Sequence, residues 1–232
     1  MEHEILYRPS YSMLVVRLAA GEQVVAEAGA MVSMSGGIEV QTTTRGGLFA
    51  GLRRAVLGGE SFFVNTFTAR AAGEVTFAPP VSGDVIHLHV GGQPVLAQST
   101  AFLASAASVQ VDSKWGGARS FFAGEGFFLL RLTGDGDAFL SSYGAIHEKP
   151  LAAGERYIVD TGHIVAFDGA MGYEVRRIGG LKTTLFGGEG LVAEFTGPGR
   201  VWLQSRSPGA FLDWLIPHLP KPSGGGGGSS GE

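Results

Sequence analysis

A Gly-Glu pair introduces an apolar run at three places, around Glu60, Glu125 and Glu189, which lie 65 and 64 residues apart. A signature that returns at a fixed interval constrains a fold more than any local propensity, because one supersecondary unit is then built several times. Gly58-Gly59-Glu60-Ser61-Phe62-Phe63 leads to Ala72-Gly73-Glu74-Val75-Thr76-Phe77. Gly124-Glu125-Gly126-Phe127-Phe128 leads to Gly134-Asp135-Gly136-Asp137-Ala138-Phe139. Gly187-Gly188-Glu189-Gly190-Leu191-Val192 leads to Gly197-Pro198-Gly199-Arg200-Val201-Trp202. Upstream, Leu18-Ala19-Ala20-Gly21-Glu22 matches Leu151-Ala152-Ala153-Gly154-Glu155, with Gly91-Gly92-Gln93-Pro94 as a looser middle copy.

The runs between these markers are short and partly alternating, the period of strands. Ser12–Leu18, Gly37–Val40, Phe62–Phe67, Val85–Val90 and Phe127–Leu132 read as strands. Turn residues separate them: Ala20-Gly21-Glu22, Pro79-Pro80, Gly91-Gly92, Gly134-Asp135-Gly136 and Gly197-Pro198-Gly199. The expectation is an all-β chain of three tandem β-sandwich-like repeats, about residues 11–78, 84–140 and 145–206. One such unit buries too little alone, so a pseudo-threefold, trimer-like body is expected. Pro208 to Ile216 reads as a short C-terminal helix, with Pro208 in its first turn and Pro217 beyond it. Its Phe211, Leu212, Trp214 and Leu215 are expected to dock on the sheets. Residues 221–232, a Gly/Ser tract, are expected to be disordered.

Composition narrows the function. The chain has no cysteine, which removes disulfides, thiolate metal sites and cysteine nucleophiles. Its net charge of −4 argues against a surface built to neutralise nucleic acid. Met1-Glu2-His3-Glu4 lacks the basic and apolar regions of a signal peptide, and no apolar run reaches the roughly 20 residues that span a bilayer, so a cytoplasmic location is expected. No Gly-x-Ser-x-Gly elbow follows a predicted strand, and no phosphate-binding loop occurs, so no enzyme and no cofactor are expected.

The blocks Ala26-Glu27-Ala28-Gly29-Ala30-Met31, Gly58-Gly59-Glu60-Ser61, Asp160-Thr161-Gly162-His163 and Gly187-Gly188-Glu189-Gly190, with Gly197-Pro198-Gly199, resemble the "altered inheritance of mitochondria 24" family. The likeness covers about residues 1–220. It implies a fold of three β-units like those of the trp RNA-binding attenuation protein. It implies bacterial members of unestablished activity and a fungal mitochondrial member linked to inner-membrane organisation. It supplies no catalytic residues.

Several residues are candidate sites. Glu60, Glu125 and Glu189 could converge on a threefold axis and bind a cation, or each could accept backbone N–H groups at a Gly-rich turn. The second reading is preferred, because close carboxylates repel. The loops before them each combine a cation with large apolar residues: Leu48, Phe49, Leu52, Arg53 and Arg54 in the first, Arg119 and Phe121 in the second, Lys182 and Phe186 in the third. Presented together at one end, they would fit an anionic membrane surface, a protein partner or self-association, against the alternative that they plug the sheet ends. His87 and His89 share a strand face and could hold a metal, but Val90-Gly91-Gly92-Gln93-Pro94 supplies no carboxylate after them. Asp135 and Asp137 read as a hairpin turn. Arg70, Arg119, Arg131, Arg176 and Arg177 do not recur as a set, so RNA binding ranks last. The expected function is a non-enzymatic scaffold or binding protein, with a small-ligand or metal-binding protein as the alternative.

Overall fold

The computed structural model describes residues 1–43, 62–112, 128–177 and 191–220. Within them lie nineteen strands, numbered in chain order, in four antiparallel sheets. The first sheet has the order β1 (Glu2–Leu6), β2 (Met13–Leu18), β7 (Gly73–Phe77), β4 (Met31–Met34). The second runs β5 (Ile38–Thr43), β6 (Val64–Ala69), β3 (Gln23–Glu27), β10 (Phe102–Ala106), β13 (Gly136–Ser141), β8 (Val85–Val90). The third runs β11 (Val109–Asp112), β12 (Leu129–Gly134), β9 (Val95–Gln98), β16 (Ile164–Asp168), β19 (Gly199–Gln204), β14 (Ile146–Leu151). The fourth has the order β15 (Arg156–Asp160), β18 (Leu191–Thr196), β17 (Gly172–Arg177). The chain is predominantly β, as its short apolar runs predict.

The strand alternation explains how the sheets stack. On β3, Val24 enters one core and Val25 the next. On β10, Leu103 and Phe102 divide in the same way, as do Phe139 and Leu140 on β13. The second sheet therefore has an apolar core on each face. The third does too: Ala97, Leu130 and Trp202 face the middle core, while Leu96, Leu129 and Val201 face the last. Strands buried on both faces must be apolar at successive positions. This is why Phe102-Leu103-Ala104 and Ile164-Val165-Ala166-Phe167 are continuous runs, each residue 0% exposed.

The repeated Ala-Ala-Gly-Glu segment folds twice into one turn. Gly21 (φ 89°) and Gly154 (φ 77°) take the left-handed conformation that glycine adopts without a Cβ penalty. The Ala19 N–H donates to Glu22 Oε2 and the Ala152 N–H to Glu155 Oε2, both at 2.8 Å. Each glutamate thus satisfies the turn that it closes.

Asp84 lies just before β8, where the starts of β2, β8 and β14 approach. The Ser12 N–H donates to the Gly83 carbonyl and the Asp84 N–H to the Gly144 carbonyl, each at 3.0 Å. Gly83 bridges Gly144 so closely that a Cβ there would overlap the Ser142 carbonyl oxygen.

The helix α1 (Pro208–Leu215) forms, capped by the Ser207 hydroxyl, which accepts from the Ala210 N–H at 3.4 Å. The docking expected of it is corrected. Phe211, Leu212 and Trp214 are 41%, 48% and 61% exposed, and no residue of the helix is buried. The Phe211 ring meets Tyr143 at 5.8 Å, and an open cavity remains between α1, Tyr143, His163 and Arg206. No helix among the described residues is long and apolar enough to cross a membrane.

Candidate functional site

β8 and β13 are neighbours in the second sheet, with His89 opposite Asp137 and His87 opposite Phe139. Period-two geometry puts His87, His89 and Asp137 on one face. The His87 Nε2–H donates to Asp137 Oδ1 at 2.8 Å. A carboxylate only accepts, so Nε2 carries a proton, and Nδ1 is the nitrogen that can offer a lone pair. His89 Nε2 lies 3.0 Å from Asp135 Oδ1, at the exposed Gly134-Asp135-Gly136 hairpin. The carboxylate that the sequence after His89 lacks thus comes from the neighbouring strand.

β1 adds a residue that the strand reading did not anticipate. It pairs with β2 and brings the His3 ring to 4.5 Å from the His87 ring and 4.8 Å from Phe139. The His3 Nδ1–H donates to the Met1 carbonyl at 3.0 Å, which leaves Nε2 free. His3, His87 and Asp137 each place a ligating atom within 4.8 Å of the others. The alternation of Glu2 and Glu4 with His3 and Ile5 is the signal that could have revealed this strand.

Asp137 is the most heavily engaged group. Its Oδ2 accepts from the Met1 ammonium at 3.1 Å. Burial pushes its carboxyl up, but the hydrogen bonds from His87 and the ammonium outweigh that, and the net shift is downward. Asp137 is therefore a charged acceptor and more than a turn residue. Glu27, at the end of β3, behaves oppositely: burial pushes its carboxyl up to about 7.

The other sequence candidates fare differently. Leu48, Phe49, Leu52, Arg53, Arg54, Arg119, Phe121, Lys182, Phe186, Glu60, Glu125 and Glu189 all lie outside the described residues. His163 makes a different contact; its Nδ1–H donates to the Gln204 carbonyl at 2.7 Å.

Three likenesses bear on the whole chain. A crystal structure of a protein from Streptococcus pyogenes matches with a TM-score of 0.79 at 25% identity, over 94% of this chain and 99% of that one. An uncharacterized protein of Streptococcus pyogenes serotype M6 is 26% identical over 221 residues, covering 92% of this chain and 89% of the relative. The model of the mitochondrial biogenesis AIM24 family matches residues 3–206, and the chain belongs to that family.

Proposed function

We propose that this is a non-enzymatic scaffold or binding protein made of three copies of a six-strand unit, presenting one kind of loop three times. The carrying observation is the recurring strand order. First, sixth and third strands pair as β2-β7-β4, β8-β13-β10 and β14-β19-β16. Fourth, fifth and second pair as β5-β6-β3, β11-β12-β9 and β17-β18-β15. A register shift recurs at the start of each third strand, between Met31 and Ser33, Phe102 and Ala104, and Ile164 and Ala166. In each copy the apolar-basic segment joins the fourth strand to the fifth. Repetition of the unit gives each copy one such segment, and weak contacts made three times by one chain add by multivalency.

An anionic membrane surface suits loops that mix Leu, Phe and Arg. Flotation with vesicles of phosphatidylglycerol and phosphatidylcholine tests this, comparing the full chain with a deletion of residues 48–57. The full chain is expected to float and the deletion to float several-fold less, with unchanged circular dichroism. Failure of both to float overturns the membrane form of the proposal.

The cluster of His3, His87 and Asp137 supports a second reading, a divalent cation site of two imidazoles and a carboxylate. It ranks second because both Asp137 oxygens already have partners. Calorimetric titration of the full chain with zinc is expected to show one site that His87→Ala and Asp137→Asn each weaken at least tenfold. Equal zinc affinity in all three proteins overturns it.

A further inference from the structure

On the three-copy reading, each inner sheet is completed where the second strand of one copy meets the third strand of the next. β3 pairs with β10 through Ala26↔Ala104, Val25↔Ser105 and Val24↔Ala106. β9 pairs with β16 through Ala97↔Ala166, Leu96↔Phe167 and Val95↔Asp168. The two junctions share one register. Among the described residues, two strands of the same kinds have no such neighbour: β4, the third strand of the first copy, and β15, the second strand of the last, are sheet edges.

Their exposure departs from that of their counterparts. β4 is exposed at all four positions, with Met31 at 41%, Val32 at 55% and Met34 at 42%. The matching Phe102, Leu103, Ile164 and Val165 are each 0% exposed. On β15, Ile158 is 49% exposed, while its counterparts Val25 and Leu96 are 2% and 3%. Met-Val-Ser-Met is apolar on both faces, like the strands that are buried on both faces. It carries none of the charges, and no proline, that ordinarily blunt a free edge. The exposed side chains and the unpaired backbone therefore call for the same thing, a strand beside β4 with sheet packing above and below.

We propose that β4 of one chain pairs antiparallel with β15 of a second copy of this chain, continuing the series of junctions between molecules. The internal pairings fix the register. Ser33 faces Thr76 on β7 as Ala104 faces Phe139 on β13. Val159 faces Ala193 on β18 as Ala97 faces Leu130 on β12. Ser33 is therefore opposite Val159, Met34 opposite Ile158, and Ser35 opposite Tyr157. The joined sheet would read β17-β18-β15 from one chain and β4-β7-β2-β1 from the other. This repeats the order of the two inner sheets and adds β1 at the end. The contact is heterologous: each chain offers one β4 and one β15, so assembly continues until a ring closes or a filament grows.

The absence of native cysteine makes cross-linking a direct test. The Ser33→Cys/Val159→Cys variant is oxidised gently beside an Ala97→Cys/Ala166→Cys control at the equivalent internal junction. The control is expected to bridge within one chain, and the edge variant to give a reducible ladder of covalent multimers. Mixing the two single edge variants is expected to give covalent dimers and nothing larger. An edge variant that bridges within its own chain, or fails to bridge while the control does, overturns the assembly and leaves the three-copy reading intact. A control that fails to bridge overturns the three-copy reading, and the assembly with it. Light scattering adds a measurement without cysteines. The unmodified chain is expected to gain mass with concentration, and Met34→Lys/Ile158→Lys to stay monomeric with an unchanged circular dichroism spectrum. A monomeric mass for the unmodified chain at every concentration overturns the proposal.

Discussion

Asp84→Ala is expected to destabilise the protein by about 2–4 kcal/mol at neutral pH, the range for removing one partner from a buried, hydrogen-bonded ion pair. Asp84 is 2% exposed. It accepts from Arg8 Nε at 2.8 Å and Nη2 at 2.9 Å, from the Ser12 hydroxyl at 3.0 Å and from the Val85 N–H at 2.8 Å. Its loss leaves the Ser12 hydroxyl, itself 2% exposed, without that partner. Arg8 is half exposed and can turn to water, which keeps the figure below the top of the range for buried pairs. In a chain of this length each kcal/mol moves the melting temperature by about 2–4 °C, so a fall of roughly 4–16 °C is expected by thermal denaturation.

The same residue gives a pH signature. Burial pushes the Asp84 carboxyl up, but the bonds from Arg8, Ser12 and the Val85 amide outweigh it, and the net shift is downward. A depressed carboxyl contributes its stability fully above its unfolded value of about 4 and loses it as pH falls through the lower folded value. The stability gap between the unmodified chain and Asp84→Asn is therefore expected to be flat near neutral pH and to close in acid. A gap that persists unchanged in strong acid would show that charge is not what Asp84 supplies.

Trp202→Ala is expected to cost about 3–5 kcal/mol, the range for truncating a large aromatic in a core. Trp202 is 1% exposed and belongs to the middle core. Its Nε1–H donates to Glu148 Oε2 at 2.9 Å, and the Arg200 guanidinium lies 4.8 Å from the ring. Trp202→Phe retains most of the apolar contact and loses the hydrogen bond, so a cost of about 1–2 kcal/mol is expected. Urea denaturation of the two variants checks the order; equal midpoints would count against the packing account.

What could be read in the sequence was local. The Ala-Ala-Gly-Glu turns, the Gly134-Asp135-Gly136 hairpin and the strands at Ser12–Leu18 and Val85–Val90 follow from periodicity and from glycine at left-handed positions. The site around His87 could not be read in this way. It needs β1 to cross to β2 and Asp137 to approach from β13, contacts set by sheet order between residues far apart in the chain. Phe211, Leu212 and Trp214 show the limit of an apolar pattern: it marks the face that avoids water without stating what covers it. Met31, Val32 and Met34 show the same limit on a strand. The residues favoured for a membrane or partner surface, Leu48 to Arg54 above all, lie outside the described residues.

The two inner sheets each serve as a wall common to two cores. Val24 and Val25, adjacent in the chain, stabilise different compartments, as do Leu129 and Leu130. Loss of one compartment strips a face from the wall of the next, so the compartments are expected to unfold together. Heating is then expected to give a single cooperative transition. A chain cut at Pro79-Pro80 would expose Phe102, Leu103 and Phe139 and leave two fragments prone to aggregate.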